Sequence, residues 1–151
     1  SDYEQDARKL REKYGLPSER QRLDTLEWLA PKYDETIGVH EKRGADSHRA
    51  VLLGAARGDV LEVAVGTGRC FEALQQSGEV RSFVGLDCLE AMLEVARPKL
   101  AEQPFSARVV RGDAHQLPFP DDSFDTVVGS LCICSVEGPA AVLSEMSRVC
   151  R

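Results

Sequence analysis

Aromatic residues make up only 6% of these 151 residues, with a single tryptophan, and no apolar run approaches the roughly 18 residues a membrane-spanning helix requires. Positive charge is also scarce. The net charge of −6 argues against a general nucleic-acid binder, which neutralises phosphates with clustered Lys and Arg. The small basic groups near the N-terminus (Arg8-Lys9, Arg20 with Arg22, Lys42-Arg43) each sit beside acids and read as solvated helix faces. The five cysteines are odd in number, lack C-x-x-C spacing and have no nearby histidine pair, so zinc and a disulfide framework are poor readings. They fit a reducing interior in which buried thiols act as small apolar side chains. No signal peptide is visible, and a start at Ser1 rather than Met leaves room for an upstream targeting or anchoring segment. The length suits one domain, and 42% apolar content is enough for a core.

Residues Val60 to Arg69, V-L-E-V-A-V-G-T-G-R, carry the strongest signal. A β-branched run (Val60, Val63, Val65) encloses an acid, Glu62, and enters a Gly66-Thr67-Gly68 turn. A helical pattern follows from Arg69 to Gln76. Strand, glycine turn and helix in that order cradle nucleotide-like ligands at the carboxyl end of open α/β sheets. Asp87 lies 21 residues beyond Gly66 and closes a second apolar run, Phe83-Val84-Gly85-Leu86. An acid at that distance, on a neighbouring strand tip, can accept both hydrogen bonds of a ribose diol.

The first third reads as helical. Asp2 to Tyr14 is a charged helix stopped by Gly15. Ser18 with Gln21 forms a capping box for a second helix carrying Leu23, Leu26 and Leu29, ended by Pro31. Asp46-Ser47 caps a third, running through Val51-Leu52-Leu53 to Gly58. From Asp59 onward strands are expected near 59–65, 81–86, 107–111 and 124–130, and helices near 69–77, 89–97 and 139–149, the last opened by Pro139. Alternating β and α with short apolar strands predicts a parallel sheet covered on both faces. Four strands in this order leave 124–130 as an apolar edge, with Val127 and Val128 uncovered on one side. The expectation is a fragment, or a chain whose partner supplies the missing cover.

A pyrophosphate cofactor such as NAD needs a third glycine for helix–strand packing, and Phe71 stands at that position. Glu62-x-Ala64-x-Gly66-x-Gly68 instead suits a ligand without phosphate, whose carboxylate meets turn amides and whose ammonium meets Glu62. At these residues the chain resembles class I S-adenosylmethionine (SAM)-dependent methyltransferases, nearest to the ubiquinone/menaquinone-biosynthesis-like group. Gly85-Leu86-Asp87 resembles the ribose-binding strand end, and Leu89 to Leu93 the helix beside it. Gly112-Asp113-Ala114 resembles the adenine-binding turn, and Leu117 to Asp125 the signature before strand four. Met146 to Arg151 is similar to the helix end before the family's fifth strand. Leu131 to Val136 is closer to mitochondrial and membrane-associated methyltransferase-like proteins.

The resemblance implies an α/β, Rossmann-like SAM-binding sheet over 59–151, truncated after the fourth strand and its helix, with 1–58 as a helical lid or acceptor-side segment. It assigns SAM to Glu62, Ala64, Gly66, Thr67, Gly68, Asp87, Cys88, Met92, Asp113, Ala114, Ser130 and Leu131. Gly66 and Gly68 would admit the methionyl part, Asp87 the ribose and Asp113 the adenine amino group. Each also has a plainer reading: a turn, a helix N-terminal acid, a Gly-Asp turn. Family members usually carry Gly where Ala64 stands, a mild change if the residue keeps negative φ. Cys132 and Cys134 would face one side if the strand continued, with nothing nearby to lower their pKa, and pack in the core or pocket. His115 is a candidate general base or an ordinary loop histidine. Tyr33 is a candidate lid residue, Phe119 a packing residue that could also meet adenine, and His40 and His48 surface residues. The expected activity is methyl transfer from SAM to a small molecule such as a quinone precursor. The alternative is a catalytically idle scaffold or assembly factor in a larger complex, such as a mitochondrial ribosome precursor. The resemblance implies an intracellular place, the mitochondrion ahead of the cytoplasm.

Overall fold

The computed structural model describes the backbone of residues 2–41 and 44–151, and their side chains apart from those of 2–4, 6–8, 38–41 and 45. Lys42-Arg43 and the side chains of Arg8 and His40 therefore fall outside the description. Four parallel strands form one sheet: β1 (Gly58–Val63), β2 (Val80–Asp87), β3 (Ser106–Arg111) and β4 (Thr126–Val128), in the order β3-β2-β1-β4. β1 is central, so Glu62 lies between Gly85 on β2 and Val128 on β4. Alternation along the strands sorts the core into two layers. Val60 and Phe83 pack with Leu53, Phe71, Leu74 and Leu93 on one face; Leu61, Val63, Val84 and Leu86 pack with Val142 and Val149 on the other. Phe71 meets Phe83 edge to face at 5.3 Å, a pairing worth about 1 kcal/mol beyond its area.

The helices are α1 (Asp2–Tyr14), α2 (Glu19–Leu29), α3 (Tyr33–Glu41), α4 (Ala45–Leu53), α5 (Phe71–Ser77), α6 (Glu90–Ala96) and α7 (Pro139–Val149). Gly15 stops α1 at φ +61°, the left-handed conformation glycine adopts without penalty. The capping box opens α2: Gln21 N–H donates to Ser18 Oγ at 3.3 Å and Ser18 N–H to Gln21 Oε1 at 2.8 Å. Pro31 does not end the helical path. It fits the first turn of a 3-10 segment, Ala30–Lys32, and the chain continues into α3, which the sequence reading lacked.

Asp46 and Ser47 do not cap α4. The helix starts at Ala45 behind Gly44 and stops at Leu53, before Gly54 rather than at Gly58. Asp46 is drawn instead to Arg49, at 2.7 Å, and Ser47 Oγ donates to the Gly44 carbonyl.

The fourth strand is also shorter than 124–130. Its start is held differently: Phe124 bridges Cys150, with Arg151 N–H on the Phe124 carbonyl at 2.9 Å. β4 is an edge, as expected, but Val127 and Val128 are half-buried against opposite core layers. Arg148 of α7 fastens the 117–121 segment, donating to the carbonyls of Leu117 and Phe119 and to Asp121. No helix among the described residues is long and apolar enough to cross a membrane.

Candidate functional site

A cavity of about 560 Å³ opens at the carboxyl ends of β1, β2 and β4, within the roughly 300–1,000 Å³ usual for small-molecule and cofactor pockets. Every residue that the resemblance assigns to SAM except Gly68 lines it. The two glycines have different duties. Gly66, at φ +54°, has open space where a Cβ would stand, which leaves its backbone bare to the cavity. Gly68, at φ +81°, is covered by the Phe71 ring: a Cβ there would lie 2.6 Å from Phe71 Cε2. Phe71 thus occupies the place of the missing third glycine, and Gly68 leaves room for its ring.

Ala64 also departs from expectation. Its φ is +59°, not negative. β1 ends at Val63, and the chain reverses at Ala64 so that Val65 N–H can reach the Leu86 carbonyl at 3.0 Å. A Cβ in this region costs roughly 1–2 kcal/mol. Leu131, at φ +57° and 61% exposed, repeats the strain at the end of β4. Such strained positions cluster at active sites and ligand clamps, although Asp122, at φ +53°, adopts the same region in a turn outside the cavity.

Two buried acids face this cleft. Asp87, 7% exposed, accepts from Gly66 N–H (2.8 Å, Oδ2) and Leu89 N–H (3.0 Å, Oδ1), so it braces the glycine turn and the entry to α6 together. Burial raises its pKa, and backbone hydrogen bonds from Leu89, Gly66 and Cys88 oppose that rise. Glu62 is 1% exposed, and its Oε2 has no hydrogen-bond partner among the described residues. Burial pushes its carboxyl up to about 8, despite a hydrogen bond with Cys70 and the nearby Arg49 cation. An orphaned buried carboxylate oxygen is expensive unless a cation or donor completes it.

Arg49, 8% exposed, is the residue sequence reasoning missed. It lines the cavity, donates to Asp46, and its Nε reaches Ser130 Oγ at 3.3 Å. The signal was available: Arg49 lies four residues before the buried Leu53, on the same helical face. Glu62 and Arg49 give the methionyl side of the cleft one carboxyl and one cation.

Outside the cleft a charged network holds the turn. Thr67, 1% exposed, donates through Oγ1 to Asp34 Oδ1 at 2.6 Å; Lys99 Nζ reaches both Asp34 Oδ2 and the Thr67 carbonyl at 2.7 Å. Burial works against the Asp34 charge, but hydrogen bonds from Lys99 and Thr67 hold its pKa below the usual value. Neither Asp34 nor Lys99 carried a sequence signal, because their partners lie more than 30 residues away. Tyr33 does line the cavity, at the start of α3.

The remaining candidates divide. Met92, 3% exposed, and the exposed Cys88 line the cavity; burial of the Cys88 thiol raises its pKa to about 11. Cys132 and Cys134 do not share a face, since β4 stops at Val128 and a 3-10 turn follows; Cys132 is buried and Cys134 exposed. The expectation of buried thiols thus holds for Cys70 and Cys132 but not for Cys88 and Cys134. Phe119 packs edge to face on Phe124 at 5.1 Å and does not line the cavity. His48 is exposed, as expected, with Nδ1 at 2.8 Å from the Gly44 carbonyl. His115 lines the mouth, but both ring nitrogens already face acceptors, Asp113 Oδ1 and the Glu137 carbonyl, so it is not poised as a base. Among the described residues no cluster of His, Cys, Asp and Glu could hold a metal ion.

Comparison with known proteins bears on this cleft. Residues 60–151 match a family model described as a methyltransferase domain. A ubiquinone/menaquinone biosynthesis C-methyltransferase of Geobacter sulfurreducens is 32% identical over 145 residues, covering 90% of this chain and 56% of the relative. A phosphatidylethanolamine N-methyltransferase of Cereibacter sphaeroides is 39% identical over 104 residues, covering 68% and 50%. The crystal structure of a SAM-dependent methyltransferase from Thermotoga maritima superposes with a TM-score of 0.64 at 30% identity, covering 83% and 55%. The chain spans about half the length of the relatives it matches.

Proposed function

The chain belongs to the class I SAM-dependent methyltransferases, in the ubiquinone/menaquinone-biosynthesis type, and we propose that it moves a methyl group from SAM to a small-molecule acceptor. The observation that carries this reading is the orphaned Oε2 of Glu62 inside a cavity that Arg49 also lines. A ligand bearing an ammonium would complete Glu62, its carboxylate would lie toward the side of the cleft that Arg49 lines, and the cavity volume suits it. Glu62 and Arg49 would hold the amino-acid end, Gly66 the adjoining backbone, Asp87 the ribose, and Asp113 with Ala114 the adenine. When bound, SAM supplies an already activated methyl group and leaves as S-adenosylhomocysteine. The chain's own share is placement: Tyr33, Ser130 and Leu131 border the cleft and orient what enters it. Among the described residues none is placed to take a proton, which suits acceptors that ionise without help or carry a free lone pair.

Leu23 and Leu26 of α2, with Leu131 and Val136, also line the cavity and give it apolar wall. This supports a lipophilic small molecule, and a quinone precursor is the acceptor we favour. Cover of the β4 edge by a partner chain or further residues, and a mitochondrial place, belong to the same proposal. The test is incubation of the chain with methyl-labelled SAM and a panel of lipophilic phenols, quinols and amines. Label recovered in a phenol or quinol supports the reading. Label recovered in none, from a folded chain that binds the cofactor, favours an idle scaffold.

A further inference from the structure

The His115 clasp is unused by the reading above. His115 Nδ1 lies 2.8 Å from Asp113 Oδ1, and His115 N–H donates to that same oxygen at 2.9 Å. On its other side Nε2 meets the backbone carbonyl of Glu137. A carboxylate and a carbonyl only accept, so both ring nitrogens must donate, and only the imidazolium does that. Both bonds to Asp113 fall on Oδ1; among the described residues Oδ2 receives none. Glu137 is itself anchored, its carboxylate on Arg11 of α1 at 2.8 Å and its N–H on Glu19 Oε1 of α2 at 3.3 Å.

We propose that His115 is a positioning residue for cofactor recognition: its imidazolium fixes Asp113 Oδ1, so that Oδ2 accepts from the 6-amino group of adenine, and ties that turn to the 136–138 loop beside the acceptor side. The proposal rests on the SAM reading. It gives a residue outside the adenine contact a share in base discrimination.

The groups facing His115 are Asp113 on its own loop, the carbonyl and Arg11-paired carboxylate of Glu137 before α7, and Glu19 on α2. The Glu137 carbonyl and Asp113 raise the His115 pKa above its ordinary value, and the two bonds from His115 lower that of Asp113. A raised histidine pKa means the clasp is complete below about 6.5 and is lost as pH rises through the elevated value.

The experiment measures dissociation constants of S-adenosylhomocysteine and S-inosylhomocysteine, whose base carries an oxo group in place of the 6-amino group, across this range, for the chain and for His115→Gln. The wild-type chain should prefer the adenine form by about tenfold at low pH, with the preference shrinking as pH rises. His115→Gln should show a smaller preference that does not change with pH, at unchanged Tm. Retention of the full pH-dependent preference by His115→Gln overturns the proposal. Long-range proton–nitrogen NMR on the wild-type chain guards against a variant that misfolds: predominantly imidazolium shifts for His115 at about pH 6.5 support the clasp, and a predominantly neutral tautomer at that pH overturns it. Binding of neither ligand by a folded wild-type chain removes the SAM reading and this proposal with it, whereas binding without base preference removes only the proposal.

Discussion

At the amino ends of β1 and β4, Asp59 and Asp125 meet Arg81 and Arg151 in the open; at the carboxyl ends, Glu62 and Asp87 are buried, and Glu62 Oε2 has no hydrogen-bond partner among the described residues. Arg81 grips Asp59 with two bonds, at 2.6 and 3.0 Å, and Ser82 adds a third. Those bonds hold Asp59 down at about 2, and the Asp59 N–H and Arg151 lower Asp125. Burial does the opposite to Glu62 and Asp87. The same sheet thus satisfies its acids at one end and leaves one of them short of a partner at the other. A fold needs only the first arrangement, and the second is what a ligand completes.

The comparison can be broken most severely at Gly68. Gly68→Val would place a β-branched side chain at positive φ and against the Phe71 ring, and should lower stability by about 4 kcal/mol in denaturant titration. A wild-type midpoint for that variant would show that the turn does not need Phe71 where it sits.

Glu62→Gln sharpens the contrast in pH. The folded pKa of Glu62, about 8, lies above the ordinary carboxylate value, so its contribution is complete at acid pH and is lost as pH rises through about 8. Relative to Glu62→Gln, the ligand-free wild-type chain should therefore lose about 3 kcal/mol between mildly acid and alkaline pH. Parallel stability curves for the two proteins would contradict the burial account. Glu62→Gln should also weaken S-adenosylhomocysteine binding.

Ala64→Gly should stabilise the chain by roughly 0.5–1 kcal/mol, because relief of left-handed strain exceeds the entropy glycine adds to the unfolded state. Unchanged or lowered stability would mean that the strain is already relaxed. At the opposite end, Arg81→Ala should do least. It should cause a small, salt-sensitive change in Tm and no change in cofactor affinity, since exposed ion pairs contribute little. A large loss of affinity there would dissolve the distinction between the two ends.

What the sequence made legible follows the range of the interactions. The strand, Gly66-Thr67-Gly68 turn and helix are set by neighbours within ten residues, so their place and their cleft were readable from pattern alone. The Ser18–Gln21 capping box was readable for the same reason. Conformation at Ala64 was not, because the reversal there is dictated by the Leu86 carbonyl on another strand. The roles of Asp34 and Lys99 were hidden likewise, since each acts on a residue more than 30 positions away, whereas Arg49 was overlooked although its helical spacing to Leu53 was visible. Pro31 misled through a general rule: proline ends helices in their interior but fits their first turn, and the chain used it to pass from α2 into α3.

The most direct test of the central claim is calorimetric titration of the chain with S-adenosylhomocysteine beside Asp87→Ala, which removes the brace between Gly66 and Leu89. The account predicts saturable one-site binding by the wild-type chain and none by a folded Asp87→Ala. Equal binding by both, or no binding by a folded wild-type chain, would contradict it.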